Sequence, residues 1–368
     1  MPIERRASSR RGGHIISLLL LLTVPVSLAL KYLFAAPPLW VFASAVVALA
    51  VLADWVKQAT EQVAERAGPA IGGLLNVSFG SIAELILALF VLAGGEAAVV
   101  RAQITGSIIG TSLLGLGLAI LVGGATRERQ SFGRQNAGLL SSLLILVVVA
   151  LLLPAVFDYL SRAGGVGSRR LISEEELSLG ASAVLILLYA GNLVYTLVTH
   201  RDVFARDEEA GGTARWSLSR SLTVLVLGTV AIAAEADLVS GALAATAERL
   251  HLSRLFLGVI VLALVGTSAD LFAAVAFARR DRMGLVFNIC LGSAIQMALL
   301  VAPLLVLLSW LIGQPMDLVF SNPLELFAIA GTAFIVNAIA ADGETTWFEG
   351  LLLLGVYALF GLGFFFAE

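Results

Sequence analysis

The chain has 368 residues, of which 59% are hydrophobic and 13% are charged, and its net charge is −3. The charged residues cluster between long apolar stretches, which indicates a polytopic membrane protein with the lipid bilayer as a partner and excludes a water-soluble globular domain. The single cysteine, Cys290, excludes an internal disulfide, and the absence of a basic patch with interleaved aromatic residues excludes nucleic acid as a partner.

Stretches that are long and apolar enough to span a bilayer occur about eleven times along the chain. They are residues 15–35, 38–56, 71–94, 97–124, 135–157, 178–199, 217–241, 254–278, 284–312, 321–341 and 347–366. The sequence therefore predicts an all-α polytopic membrane protein with about eleven transmembrane helices.

The N-terminal region combines a basic tail, residues 1–14, with the first apolar span, residues 15–35. This arrangement resembles the start of a signal peptide, but no small-residue cleavage site ends it cleanly, so we expect a retained, extra N-terminal helix. Sixteen of the 23 basic residues fall on one side if the N-terminus is cytoplasmic. The distribution predicts a cytoplasmic N-terminus, and a C-terminus on the opposite side of a plasma or inner membrane.

Two stretches between the spans are expected to be solvated, residues 161–176 and residues 200–216. The second is predicted to be an acidic cytoplasmic loop, because residues 207–209 are all acidic. A weak regulatory cation site is the alternative interpretation of that acidic run.

The chain repeats itself with an offset of 186 residues, so that residues 72–117 align with residues 258–303 without a gap. In this alignment Gly80 falls on Gly266, and the carboxylate of Glu84 falls on that of Asp270. An odd number of spans separates the two segments, so they enter the membrane from opposite sides. Inverted repeats of this kind are typical of secondary transporters, whose ion sites lie near the middle of the membrane where the repeats meet.

Each of the two carboxylates stands alone in an apolar run, where an unpaired charge costs roughly 2.5 to 3.5 kcal/mol on insertion scales. A glycine precedes each acid by one helical turn, and a hydroxyl residue follows that glycine: Gly80 and Ser81 before Glu84, Gly266 and Thr267 before Asp270. Glycine weakens a helix, which predicts a local break and free backbone carbonyls at both positions. Carboxylate, hydroxyl and carbonyl oxygens together suit Ca²⁺.

The helix after each carboxylate adds further small and polar residues. The first repeat has Gly106, Ser107, Gly110 and Thr111, and the second has Gly292, Ser293 and Gln296. Small residues let helices approach closely, and for the glycines this structural interpretation is as good as a functional one. For Ser107, Ser293 and Gln296 we favour a polar role at the cation and proton site.

Two residues elsewhere in the sequence are weaker candidates for cation binding or cation entry. Asn76 precedes the first motif by a turn, and its amide either binds a cation or ties two helices together. Glu235, with Asp237 nearby, either serves cation access or lies near the water interface.

The two motif regions resemble the calcium/proton antiporters of the cation/calcium exchanger superfamily, the CAX type, and the likeness runs from about Ala59 to the C-terminus. It is carried by GLLNVSFGSIAELILALF, which starts at Gly73, and by LVGTSADLFAAVAFARRDRMGLVFNICLGSAIQMALL. The resemblance implies one extra N-terminal helix before two inverted five-helix halves, here residues 38–199 and 217–368, and an exchange of Ca²⁺ for H⁺.

The chain departs from the usual family motifs at four positions. Ser81 and Thr267 stand where the family has asparagine, Asp270 where it has a second glutamate, and Leu271 where it has histidine. Serine and threonine at such places are more similar to the sodium/calcium exchanger branch.

These observations predict a transporter that is not an enzyme and has no cofactor, with Ca²⁺ as the transported substrate. In this hypothesis Glu84 and Asp270 bind either one divalent cation or protons, and Ser81 and Thr267 complete the shell. Alternatives are a Na⁺ or K⁺/H⁺ antiporter and a Na⁺-coupled Ca²⁺ exchanger. A remote alternative, an intramembrane aspartyl protease, would need Tyr-Asp and Gly-x-Gly-Asp motifs that do not surround either acid.

Overall fold

The computed structural model describes residues 20–67, 72, 75, 79–163, 170–199, 216–320 and 322–367. Within these residues eleven helices and two short strands follow one another, if a helix that contains a π-helical turn is counted as one. The helices are α1 Thr23–Tyr32, α2 Pro38–Ala67, α3 Ile82–Ala93, α4 Ala97–Gly124, α5 Arg134–Ala163, α6 Arg170–Thr199, α7 Leu218–Leu250, α8 Arg254–Ala278, α9 Met283–Ile312, α10 Pro323–Ala340 and α11 Trp347–Phe366; the strands are β1 Gln130–Ser131 and β2 Glu344–Thr345.

Among the described residues, nine helices are long and apolar enough to cross a membrane, namely all but α1 and α3. In hydrocarbon every backbone N–H and C=O must be bonded within the protein, and a helix does so inside one segment. Large apolar side chains such as Leu187, Phe334 and Phe366 stay exposed on the outer faces of these helices, as expected where lipid is the solvent. The predicted all-α polytopic class is confirmed.

Several predicted boundaries are wrong, among them the end of the span predicted at residues 217–241, because α7 continues to Leu250. The span predicted at residues 38–56 is part of α2, which continues to Ala67. Charges begin at Asp54 and end the apolar signal, but the following residues are mostly strong helix formers, so the helix does not stop there. Likewise α6 begins at Arg170, inside the stretch 161–176 that we expected to be a solvated loop.

Several predicted features lie outside the described residues. They are the basic tail 1–14, the first part of the span 15–35, Asn76 and the acidic residues 207–209.

Helix ends are marked by side-chain caps. Asn322 Oδ1 accepts a hydrogen bond from Leu324 N (2.9 Å) ahead of Pro323, the first residue of α10. Thr346 and Glu349 form a capping box at the start of α11, in which each side chain bonds a backbone N–H that the helix leaves free. These caps fix where the chain turns back into the bundle.

The packing places the repeat motifs at the centre of the bundle. Of the nine long helices α4 is the most enclosed, whereas α6 and α11 are the least. Helix α2 lies along α7, and α8 packs against α2, α4 and α9. The carboxylate of α8 is therefore surrounded by helices of both halves.

Helices α4 and α9 each contain a π-helical turn, at Gly110–Gly115 and at Met297–Val301. The repeat offset of 186 residues carries 110–115 onto 296–301, so the two turns are equivalent. π-Helical turns are rare in proteins, and those that occur are frequently found at functional sites. The inverted repeat is thus visible in the backbone as well as in the sequence.

The two strands connect the halves at one face of the bundle. Gln130 pairs with Thr345 and Ser131 pairs with Glu344 in an antiparallel ladder. The ladder is extended by Phe132 N, which donates to Gly343 O (2.9 Å). It ties the loop after α4 to the loop after α10.

Candidate functional site

Glu84 lies in the first turn of α3, directly after the turn formed by Gly80 and Ser81. As predicted, the helix does not run through this glycine but begins after it, at Ile82. The Glu84 side chain is only 2% exposed, and neither carboxylate oxygen has a hydrogen-bond partner among the residues that the structure describes. A buried carboxylate in this condition is costly unless a proton or a cation neutralises it.

Gly266 of α8 provides the space for this carboxylate. A Cβ at Gly266 would lie 2.7 Å from Glu84 Cγ and 3.4 Å from Glu84 Oε1, and the first of these distances is too short for a side chain to fit. The structure thus brings together two predicted site residues from opposite repeats.

Asp270 lies one turn further along α8 and is ion-paired. Lys57 Nζ of α2 donates to Asp270 Oδ1, and the two side chains are 14% and 16% exposed. Asp270 and Lys57 are also the charged groups within electrostatic range of Glu84. The two acids therefore share one electrostatic environment, but only one of them has a partner.

The break predicted at Gly266 is wrong, because α8 is continuous from Ala263 to Ala278. The irregularity in this half is instead a π-helical segment, Leu257–Leu262, which ends four residues before Gly266. Gly266 stays in the helix with the Glu84 side chain packed against it.

The hydroxyl residues next to the two glycines differ in their contacts. Thr267 is fully buried, and its Oγ1 donates to Ala263 O (2.8 Å) in its own helix. Its oxygen lone pairs remain acceptors and could still bind a cation. Ser81 is 6% exposed, and its side chain makes no capping bond to α3.

Helix α4 lines the same region with buried polar groups. Gln103 Nε2 donates to the backbone oxygen of Glu84 (3.4 Å), and Gln103 Oε1 has no partner. Ser107 Oγ, one turn away, is also buried without a partner. A Cβ at Gly110 would lie 3.9 Å from Thr267 Oγ1, so the π-helical turn of α4 begins beside α8.

The repeat-equivalent residues on α9 are packed less tightly than those on α4. Ser293 is buried, at 9% exposed, and Gln296 is the last residue before the π-helical turn. A Cβ at Gly106 would collide with Val259 O and lie 2.5 Å from Ala263 Cβ, whereas at Gly292 no described atom lies within 4 Å. The close-approach interpretation therefore holds for Gly106.

Glu235 is at the middle of α7 and is fully buried. Ser27 Oγ of α1 donates to Glu235 Oε1 (2.6 Å), and Glu235 Oε2 has no partner. This carboxylate joins the extra N-terminal helix to the bundle.

Sequence reasoning missed Lys57 and Gln103. Lys57 lies one residue beyond the predicted end of its span, and the repeat offers no counterpart because the equivalent residue is Leu243. A signal was present nonetheless: Lys57 is one of only two lysines among 23 basic residues.

The described residues contain no group of three or more His, Cys, Asp or Glu side chains that could hold a metal ion. The polar groups described around Glu84 are carboxylate, hydroxyl and amide side chains that come from different helices.

Comparison with known proteins agrees with this architecture. The chain matches the family described as sodium/calcium exchanger protein over residues 37–198 and 220–366. It is 38% identical to a Ca²⁺/H⁺ antiporter of Aphanothece halophytica over 366 residues, which cover 94% of this chain and 95% of that protein. It is also 38% identical to the Ca²⁺/H⁺ antiporter ChaA of Bacillus subtilis over 337 residues, covering 89% of this chain and 93% of that one.

Among solved structures, native YfkE superimposes with a TM-score of 0.81 at 33% sequence identity, covering 95% of this chain and all of that one. The family match covers both repeats and the described residues of the candidate site. The chain belongs to the sodium/calcium exchanger family, in its CAX-type branch.

Proposed function

We propose that the protein is a secondary active antiporter that exchanges Ca²⁺ for H⁺ at a site formed by Glu84 and Asp270. The observation that carries this proposal is the buried, unpartnered carboxylate of Glu84, which lies against Gly266 of the opposite repeat. Two proteins that are each 38% identical to this chain are named Ca²⁺/H⁺ antiporters, which supports the proposal.

The chemistry follows from what can neutralise these carboxylates. Ca²⁺ takes about six to eight oxygen ligands, and Glu84 and Asp270 supply the charged ones. The neutral ligands are the side chains of Ser81, Thr267, Ser107, Ser293 and Gln296 and the backbone carbonyls near Gly80, where the helix is interrupted. Protonation of the carboxylates removes the charge that holds the metal, so protons and Ca²⁺ exclude each other. Alternate exposure of the site to the two sides then couples their movements.

Several finer features belong to the same proposal. The excess of arginine on one side supports a cytoplasmic N-terminus in a plasma or inner membrane, with the C-terminus opposite. Residues 38–199 and 217–368 form the two halves, and the first two helices of each half rock or slide to expose the site to one side at a time. The protein works as a transporter without catalytic activity, and an ion gradient supplies its energy because the sequence contains no nucleotide-binding loop.

A cation panel in proteoliposomes tests the proposal. Purified protein is reconstituted with a pH-sensitive dye inside, a proton gradient is imposed, and Ca²⁺, Na⁺ or K⁺ is added outside. We expect Ca²⁺ to dissipate the gradient and Na⁺ and K⁺ to leave it intact. Dissipation by Na⁺ or K⁺ alone would favour the monovalent alternative.

A second arm separates H⁺ from Na⁺ as the counter-ion. Uptake of radioactive Ca²⁺ is followed with either a proton gradient or a Na⁺ gradient as the sole driving force. Uptake only with the Na⁺ gradient would overturn Ca²⁺/H⁺ exchange in favour of the Na⁺-coupled alternative.

A further inference from the structure

We propose that Lys57 is a tethered counter-ion of Asp270 that competes with the transported cation and thereby sets the affinity of the site. This inference rests on the proposed function, because it concerns the same carboxylate. It adds a residue that neither the repeat nor the family motifs contain.

The ion pair connects two helices of different halves. Lys57 is two-thirds of the way along α2, between the buried residues Val56 and Ala59, and Asp270 is in the middle of the last segment of α8. Both side chains are more than four-fifths buried, so water screens their attraction poorly. The Lys57 ammonium is therefore a strong local competitor for any cation that approaches Asp270.

The competition is for one oxygen. Lys57 Nζ donates to Asp270 Oδ1, and a Ca²⁺ ion held by Asp270 would need carboxylate oxygen at about 2.3–2.6 Å. An ammonium group and a divalent cation on the same carboxylate repel each other, so cation binding requires Lys57 to move away. Its flexible four-carbon stem permits this movement, and Glu61, one turn further along α2, lies within electrostatic range of the ammonium.

The residue type fits a displaceable counter-ion. Lysine presents a compact point charge, whereas arginine would hold a carboxylate through two parallel hydrogen bonds and leave it less readily. The chain has 21 arginines and two lysines among its 23 basic residues, yet the ion partner of Asp270 is a lysine.

A purely structural role makes a different prediction. If the ion pair only joined α2 to α8, loss of Lys57 would lower stability and leave the affinity for cation unchanged. The affinity and the stability of the variants therefore have to be measured separately.

The first test compares Lys57→Met with Lys57→Arg in proteoliposomes and uses the other lysine, the exposed Lys31, as the matched control in Lys31→Met. If Lys57 occupies Asp270 about nine-tenths of the time, its removal should lower the apparent KM for Ca²⁺ about tenfold. The maximal rate should fall as well, because Ca²⁺ is released more slowly. Lys57→Arg should have a KM at or above that of the wild type, and Lys31→Met should behave as the wild type.

An unchanged KM in Lys57→Met overturns the proposal. A wild type that neither binds nor transports Ca²⁺ would instead contradict the proposed function, so the two failures are distinguishable.

The second test needs no variant at position 57 and covers the case in which Lys57→Met does not fold. Wild-type protein in detergent is treated with a small amine-labelling reagent with and without Ca²⁺, and the modified lysines are quantified by mass spectrometry. With two lysines in the chain, Lys31 serves as the internal reference. Ca²⁺ should increase labelling of Lys57 severalfold and leave Lys31 unchanged.

Asp270→Asn provides the companion sample for the labelling test. In this variant Lys57 should be labelled rapidly whether or not Ca²⁺ is present. Labelling of wild-type Lys57 that Ca²⁺ leaves unchanged or reduces would overturn the proposal.

Discussion

Glu84 and Asp270 occupy equivalent positions in the two repeats, but their surroundings differ. Glu84 is almost completely buried, and neither of its oxygens has a partner in the described part of the chain. Asp270 is slightly more exposed and accepts a hydrogen bond from Lys57. Glu84 therefore needs a neutralising ion from outside the protein, whereas Asp270 is already paired with a cationic side chain on a neighbouring helix.

The difference arises in the helices that precede the motifs. Helices α2 and α7 are themselves related by the repeat, and the position that holds Lys57 in α2 holds the buried Leu243 in α7. Duplication therefore supplied two carboxylates in matching places, and later divergence made their energetics unequal. Symmetry in a sequence does not imply symmetry in affinity.

Replacement of either acid should have the largest effect. Glu84→Gln and Asp270→Asn should each reduce Ca²⁺-driven proton movement to the level of protein-free vesicles, because each removes a charged ligand. The exposed Asp281 is a suitable control, and Asp281→Asn should transport as the wild type does. Transport at the wild-type rate in either site variant would contradict the ligand assignment.

The stability of the same two variants should separate the acids. Asp270→Asn leaves the Lys57 charge without its partner, and a loss of up to about 3 kcal/mol in the free energy of unfolding is expected. Glu84→Gln removes an unpartnered carboxylate and should leave the melting temperature in detergent unchanged or raise it. The double variant Lys57→Met/Asp270→Asn should recover stability without recovering transport; a failure to recover would contradict the importance of the ion pair.

Gly266→Ala should reduce transport with little loss of stability. The new Cβ would lie 2.7 Å from Glu84 Cγ, and the flexible side chain can move, but its carboxylate then leaves the site. A decrease of about tenfold in kcat/KM corresponds to about 1.4 kcal/mol. Gly241→Ala is the control, because a Cβ there meets no described atom within 4 Å; equal activities in the two variants would contradict the proposed position of Glu84.

The glycines of the following helices should differ in stability. Gly106→Ala forces α4 away from Val259 and Ala263 of α8, and overpacking of this kind costs about 1–3 kcal/mol. Gly292→Ala, its repeat equivalent, should leave the melting temperature within about a degree of the wild type. Similar melting temperatures for the two variants would show that the closer packing at Gly106 carries no energetic weight.

The smallest effect on transport is expected for Ser27→Ala. The variant loses the hydrogen bond to Glu235 and leaves both oxygens of that carboxylate unpartnered, which costs about 1–3 kcal/mol. Thermal unfolding should register this loss, whereas the apparent KM for Ca²⁺ should not change because α1 does not reach the candidate site. Ser44→Ala, whose hydroxyl bonds only its own helix, is the matched control.

The sequence alone predicted the features that depend on patterns extending over many residues. Hydropathy located α4, α8, α9 and α11 to within a residue, because these helices end where their apolar residues end. The internal repeat was sufficient to relate Glu84 to the motif around Gly266. Both the apolar spans and the internal repeat can be read directly from the order of residues along the chain.

The features that depend on contacts between helices could not be predicted. The partner of Asp270 comes from α2, far away in the sequence, and its place in the bundle follows from how α2 packs on α8. The continuous helix through Gly266 is another such case, because the packing of Glu84 against it outweighs the weak helix propensity of glycine. A local break was realised only beside Gly80.

The short ladder between β1 and β2 restricts how the halves can move. It joins the loops that follow α4 and α10, so we expect the ends of these two helices to move together during transport. Opening of the bundle on that face would then require movement of helices outside the ladder. Helix α2 is one of these, and its movement would carry Lys57 with it.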